Sequence, residues 1–151
     1  MKFDRLSLPP SAIPSYEALL AFEHTIDLDP RLRVLLQLRA SQINGCAYCI
    51  DMHWKDARAG GESEERLYGL DAWREIPSYS ERERAALALC EAMTLISEDH
   101  VPDDVWNEAT RVFSNDDVTR LMFTISAINV WNRLMITARA EPGDYHAKVA
   151  S

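Results

Sequence analysis

Cys46 and Cys49 stand three residues apart, and His53 follows four residues after the second thiol, in Gly45-Cys46-Ala47-Tyr48-Cys49-Ile50-Asp51-Met52-His53. On a helix, positions i, i+3 and i+7 lie near one face. The spacing therefore predicts that two sulfurs and one imidazole cluster, which is chemistry for making and breaking a disulfide. A free thiol of pKa near 8.5 is only about 3% thiolate at pH 7, and lowering it to about 7 makes roughly half of it reactive. Asn44-Gly45 reads as a helix stop. Both cysteines then fall in the first turns of the next helix, where the dipole favours an anion. His53, one turn beyond Cys49, is within reach of its proton.

Other uses of the pair are weaker. A staple closing so short a ring stabilises by only about 2 kcal/mol, against roughly 3 for a 15-residue loop. A closed zinc site needs four ligands; Cys46, Cys49 and His53 give three, and Cys90, His24, His100 and His146 are fourth candidates outside any second metal motif. Haem attachment requires histidine directly after the second cysteine, where Ile50 stands. The residues favour a redox dithiol and call for no metal and no cofactor.

The elements that must position these groups read as helices. Met1 to Pro14, with Pro9, Pro10 and Pro14, is expected to be an extended arm. An amphipathic helix is expected over Ser15 to Leu28. Asp29-Pro30 is a cap followed by a first-turn proline, opening a helix through Leu32, Leu35, Leu36, Leu38, Ala40 and Ile43. The cysteine helix should end at Gly60-Gly61. A short helix over Ser63 to Leu70 follows, then Ser80 and Glu83 as a capping box for a helix reaching Ile96. Val101 to Phe113 and a long helix from Ser114-Asn115 to about Arg139 complete the chain. No segment alternates with period two over strand length. The fold class is all-α, with about six to eight helices.

The 151 residues suit one domain, 1–151, with residues 1–14 as its arm. A net charge of -8 disfavours nucleic acid. No apolar run reaches the roughly 18 to 20 residues that span a bilayer, and Met1 to Pro14 has no signal-peptide core. Three cysteines, two of them close together, do not make a secreted disulfide framework. A cytoplasmic location is expected. Leu121 to Trp131 is apolar on nearly every side, so part of its burial is expected from a neighbouring subunit. Asn129, Asn132 and Arg133 on that helix are expected to hydrogen-bond at the interface, or to form a rim of the active site. Cys90, among apolar neighbours, reads as a small core residue.

Gln42 to His53 resembles the core motif of the alkylhydroperoxidase D-like (AhpD-like) proteins of the carboxymuconolactone decarboxylase family. Ile128-Asn129-Val130-Trp131-Asn132-Arg133 also resembles a recurrent element of its small members. The resemblance spans roughly Pro30 to Thr137. It implies an AhpD-like helical bundle assembled as trimers or hexamers, and thiol-dependent peroxidase or disulfide-reductase activity. It further implies a small hydroperoxide as substrate and a dithiol reductant, lipoyl-like or thioredoxin-like. By position, Cys49 is then the peroxidatic residue, Cys46 the resolving one, and His53 part of a proton relay. The family commonly carries a glutamate twelve positions before the first cysteine; here that position is Val34. Glu23 and Asp51 are the candidate substitutes. Two alternatives are a lactone decarboxylase, for which the paired cysteines are superfluous, and a non-catalytic redox sensor. Trp54 is expected to pack on a helix face, with an entrance for an organic peroxide as its other use.

Overall fold

A computed structural model describes residues 3–5 and 8–147. Four residues of the expected arm, Met1, Lys2, Leu6 and Ser7, lie outside the described residues. Among the described residues the chain forms eight α-helices and no strand beyond an isolated bridge between Phe3 and Ala140. The helices are α1 (Ile13–His24), α2 (Pro30–Asn44), α3 (Ala47–Ala59), α4 (Glu64–Tyr68), α5 (Glu81–Thr94), α6 (Ile96–Asp99), α7 (Asp103–Val112) and α8 (Asn115–Ala138).

The caps explain most boundaries. Asp29 Oδ1 accepts from the Arg31 amide at 2.9 Å, and Pro30 opens α2 where no amide is needed. Ser80 and Glu83 form the reciprocal capping box of α5. Ser114 accepts from the Asp117 amide to start α8. Four boundaries differ from the sequence reading. A 3-10 turn over Pro10–Ala12 leads into α1, which starts at Ile13 with Pro14 in its first turn. The helix expected over Ser63 to Leu70 stops at Tyr68 with Gly69 as its C-cap, and the Ile76 side chain occupies the space a Cβ at position 69 would need. The helix expected to reach Ile96 ends at Thr94, and α6 restarts it. The helix expected from Val101 starts at Asp103, with Pro102 as its cap.

The centre is α2. It packs on α3, α5 and α8, and its Leu35, Leu36 and Leu38 are fully buried beside Leu87 and Leu89 of α5 and Leu121, Ile125 and Ile128 of α8. Burying one such leucine contributes roughly 1.5–3 kcal/mol, so α2 is held on three sides before it delivers its C-terminus to the cysteines. The long α8 hides only part of its surface. Met122, Phe123 and Val130 are 38%, 49% and 43% exposed, so this helix is not covered all round by its own chain. No helix among the described residues is long and apolar enough to cross a membrane.

Candidate active site

The two cysteines sit where α2 hands over to α3. Gly45 closes α2 in the left-handed region, φ 70°, where a side chain would be strained. The Cys46 amide then donates to Ser41 O at 3.0 Å. Cys46 is the N-cap of α3 rather than a member of its first turn, which corrects the expectation that both cysteines are helical. Its Sγ accepts from the Cys49 amide at 3.4 Å. Cys49 and His53 lie on the inward face of α3, and Cys46, Cys49 and His53 are all buried. The spacing thus brings the three groups into one region, although Cys46 arrives there as a cap.

The sulfurs are electrostatically unequal. The Cys49 thiol donates to Cys46, and this, with the Cys49 amide and the Asn132 side chain, outweighs burial and lowers the Cys46 pKa to about 7. The same hydrogen bond, burial and the charge on Cys46 push the Cys49 thiol up. Near neutral pH about half of the pairs then carry a thiolate, favoured on Cys46, that accepts the Cys49 proton. Two coupled thiols share that proton as a pair.

The sulfurs also border different cavities. Cys49 and His53 line a narrow pocket of about 80 Å³, walled by Tyr16, Leu20, Met52, Trp131 and Met135, with Glu23 as its carboxylate. Cys46 borders a wider cleft of about 460 Å³ between the start of α3 and the end of α8. Trp54 is not a wall of the narrow pocket and is partly exposed; Trp131 supplies the aromatic wall instead, edge-on to Tyr16 with ring centroids 5.2 Å apart.

His53 is neutral: burial lowers its pKa to about 4. Its Nε2 is buried with no hydrogen-bond partner among the described residues. Its Nδ1 lies 3.9 Å from Asp56 Oδ2, too long for a hydrogen bond. Tyr145 OH donates to the other Asp56 oxygen at 2.6 Å. Of the two proposed substitutes for the missing glutamate, Glu23 stands in the pocket. Its Oε2 accepts from Trp131 Nε1 at 2.9 Å, and burial raises its pKa above the ordinary value. Asp51 is spent elsewhere, accepting from Lys55 Nζ at 2.8 Å and from the Gly143 amide at 3.1 Å. Val34 faces a hollow that it shares with Asp56.

Burial of neutral His53 makes stability depend on pH. The folded pKa is depressed below the unfolded value of 6.5, so the contribution is complete above 6.5 and is lost as pH falls towards about 4. The loss amounts to about 3 kcal/mol. Glu23, whose folded pKa is raised, acts oppositely: its contribution is present below its unfolded value and is lost as pH rises through the folded one. A urea-unfolding series from pH 7 to pH 4 is expected to show this decline, and His53→Gln should flatten it. An equal decline in that variant would remove His53 as its source.

One residue beside the site was missed from sequence: Asp56 is i+3 from His53, and that helical spacing was the available signal. Asn132, expected at a subunit interface or at the rim of the active site, is fully buried inside the chain. Its Nδ2 donates to Ser41 Oγ at 3.0 Å, and its Oδ1 accepts from Asn44 Nδ2 at 2.9 Å. Asn129 accepts from the same Asn44 amide at 3.0 Å. This network ties the α2–α3 turn to α8, and Asn132 also reaches both sulfurs. Asn132→Leu is expected to cost about 1–3 kcal/mol for each stranded polar group and to raise the Cys46 pKa. Thermal unfolding and the pH dependence of Cys46 alkylation, followed by mass spectrometry, measure both effects.

Cys90 is fully buried, donates to Leu36 O at 3.4 Å, and is pushed up to about 12 by burial; it is inert packing. His24, His100 and His146 are exposed. Among the described residues, no three His, Cys, Asp or Glu side chains are arranged to hold a metal ion.

Residues 14–92 match the model of the carboxymuconolactone decarboxylase family. This chain belongs to that family. The carboxymuconolactone decarboxylase match covers α1 to most of α5, so it contains Glu23, both cysteines and His53. The uncharacterized protein YdfG of Bacillus subtilis is 46% identical over 104 residues, 69% of this chain and 71% of YdfG. Among solved structures, ATU0492 of Agrobacterium tumefaciens superposes with a TM-score of 0.85 at 36% identity, over 93% of this chain and all of that one. It is a protein of unknown function with the provisional description antioxidant defence protein AhpD, and it supports membership of the AhpD-like branch. The debrominase Bmp8 shares the fold, with a TM-score of 0.78 at 19% identity over 89% of this chain and 73% of its own.

Proposed function

We propose that this chain is a thiol peroxidase of the AhpD-like branch, reducing small hydroperoxides with Cys49 as the attacking sulfur. The observation that supports this reading is that Cys49, His53 and Glu23 share one narrow, mostly apolar pocket, whereas Cys46 borders another cavity. A pocket of about 80 Å³ suits a small alkyl hydroperoxide.

The Cys49 proton passes to His53 Nε2, a buried neutral base, with Glu23 stabilising the imidazolium that forms. The Cys49 thiolate attacks the distal oxygen, the O–O bond breaks, and the alkoxide leaves as alcohol by taking that proton. Cys49 is now a sulfenic acid. Cys46, kept anionic at the helix N-terminus, attacks the Cys49 sulfur; hydroxide leaves and is protonated to water. The Cys46–Cys49 disulfide is returned to two thiols by an external dithiol, lipoyl-like or thioredoxin-like, which becomes a disulfide itself.

The uncovered stripe on α8 supports assembly with further copies, as trimer or hexamer. Light scattering at micromolar concentration is expected to give three or six times the chain mass, and a monomeric mass contradicts it. The enzymatic test is dithiol-dependent consumption of tert-butyl hydroperoxide, abolished by thiol alkylation. Turnover of a lactone acid that survives alkylation would instead identify the decarboxylase chemistry. Peroxide-driven thiol oxidation without turnover would identify a sensor.

A further inference from the structure

The two cavities have a consequence for the return half of the cycle, one that rests on the Cys46–Cys49 redox pair but not on peroxide as its oxidant. Cys46 and Cys49 are both 1% exposed, so neither sulfur meets a partner at the protein surface. Each lines a cavity of its own, and the two cavities share Tyr48 and Met135 as walls. The Cys49 pocket is about 80 Å³, with Tyr16, Leu20 and Trp131 among its other walls. The Cys46 cleft, at about 460 Å³, is several times larger. Its lining includes Gly45, Ala47 and Ile136, and Asp4 and Arg139, which pair at 3.4 Å.

We propose that reduction proceeds through a different cavity from oxidation: the reductant enters the Gly45–Arg139 cleft and attacks Cys46 Sγ, never Cys49. The occupant is a slim thiol on a flexible arm. A sulfur recessed to 1% exposure at the end of a cleft is out of reach of a thiol fixed on the convex face of a folded domain. The bonds follow from that approach. The reductant thiolate attacks Cys46 Sγ, the Cys46–Cys49 bond breaks, and Cys49 leaves as thiolate and is protonated from its own pocket. A mixed disulfide on Cys46 remains. The second thiol of the reductant then attacks the reductant's own sulfur and expels Cys46. Oxidant and reductant therefore need not displace one another.

The test is trapping with a monothiol, which cannot complete the second step. The full chain is oxidised with diamide, so that no peroxide is involved, then exposed briefly to benzyl mercaptan, quenched with iodoacetamide and mapped by mass spectrometry. The expected product carries the benzylthio group on Cys46 and the carbamidomethyl group on Cys49, in at least tenfold excess over the reverse. The reverse product, or an even distribution, overturns the proposal. Because the disulfide is made with diamide, a protein that gives the expected adduct yet consumes no hydroperoxide would sink the peroxidase reading and leave this one standing.

Discussion

Cys49→Ser is expected to reduce dithiol-dependent hydroperoxide consumption by about 1,000-fold or more, the scale on which removing a nucleophile acts. The protein should stay folded, because serine keeps the volume of a side chain that faces the pocket. Cys46→Ser is expected to behave differently. It retains the attacking sulfur and loses the resolving one, so it should consume about one equivalent of peroxide and stop as a Cys49 sulfenic acid. The contrast matters because the lower pKa belongs to the other sulfur: Cys46 is lowered to about 7 while Cys49 is pushed up. Pocket chemistry and thiol acidity thus point to different cysteines. The assignment of attack to Cys49 rests on the pocket it shares with His53 and Glu23, where a base and a carboxylate line the same cavity. A dimedone adduct on Cys49 in Cys46→Ser supports it. A dimedone adduct on Cys46 in Cys49→Ser, with turnover unaffected, would reverse the roles.

Glu23→Gln carries the second large effect, a loss of about 100-fold or more in turnover. Glutamine retains an oxygen for Trp131 Nε1, so the wall of the pocket survives while the charge opposite the developing imidazolium is removed. The pH profile separates this from a structural defect. Glu23 must be ionised to act, and burial raises its pKa above the ordinary value, so the natural chain should lose activity on the acid side as Glu23 protonates. In Glu23→Gln that limb should disappear, leaving only the loss that follows protonation of His53 near 4. Val34→Glu is the complementary variant. If Glu23 already serves His53, restoring a glutamate on α2 should change turnover by less than threefold. A tenfold gain would mean that the relay of the natural chain is incomplete.

The legible parts of this molecule were those written in local chemistry. Caps at Asp29, Ser80 and Ser114 have short-range signatures, and so does the left-handed glycine at 45; they placed four helices to within a residue or two. The placing of Cys49 and His53 on one face of α3 followed from helical periodicity, and Cys46 joins them as the cap of that helix. Long-range pairings were not legible. Nothing in the sequence near Glu23 shows that α1 lays it across α8 against Trp131, 108 residues away. Nothing near Asn132 shows that its partners are Ser41 and Asn44 rather than a second subunit. The division of the two thiols between two cavities depends on Cys46 being a cap. That one-residue distinction decides which way the sulfur lies, and periodicity cannot make it.

Disulfide mapping tests whether Cys46 and Cys49 form a reversible redox pair. After one equivalent of tert-butyl hydroperoxide the protein should lose two of its three titratable thiols. Mass spectrometry under denaturing alkylation should then find Cys46 joined to Cys49 and Cys90 alkylated. Finding Cys46 and Cys49 both alkylated after that treatment, in a chain that is otherwise folded, would contradict the account.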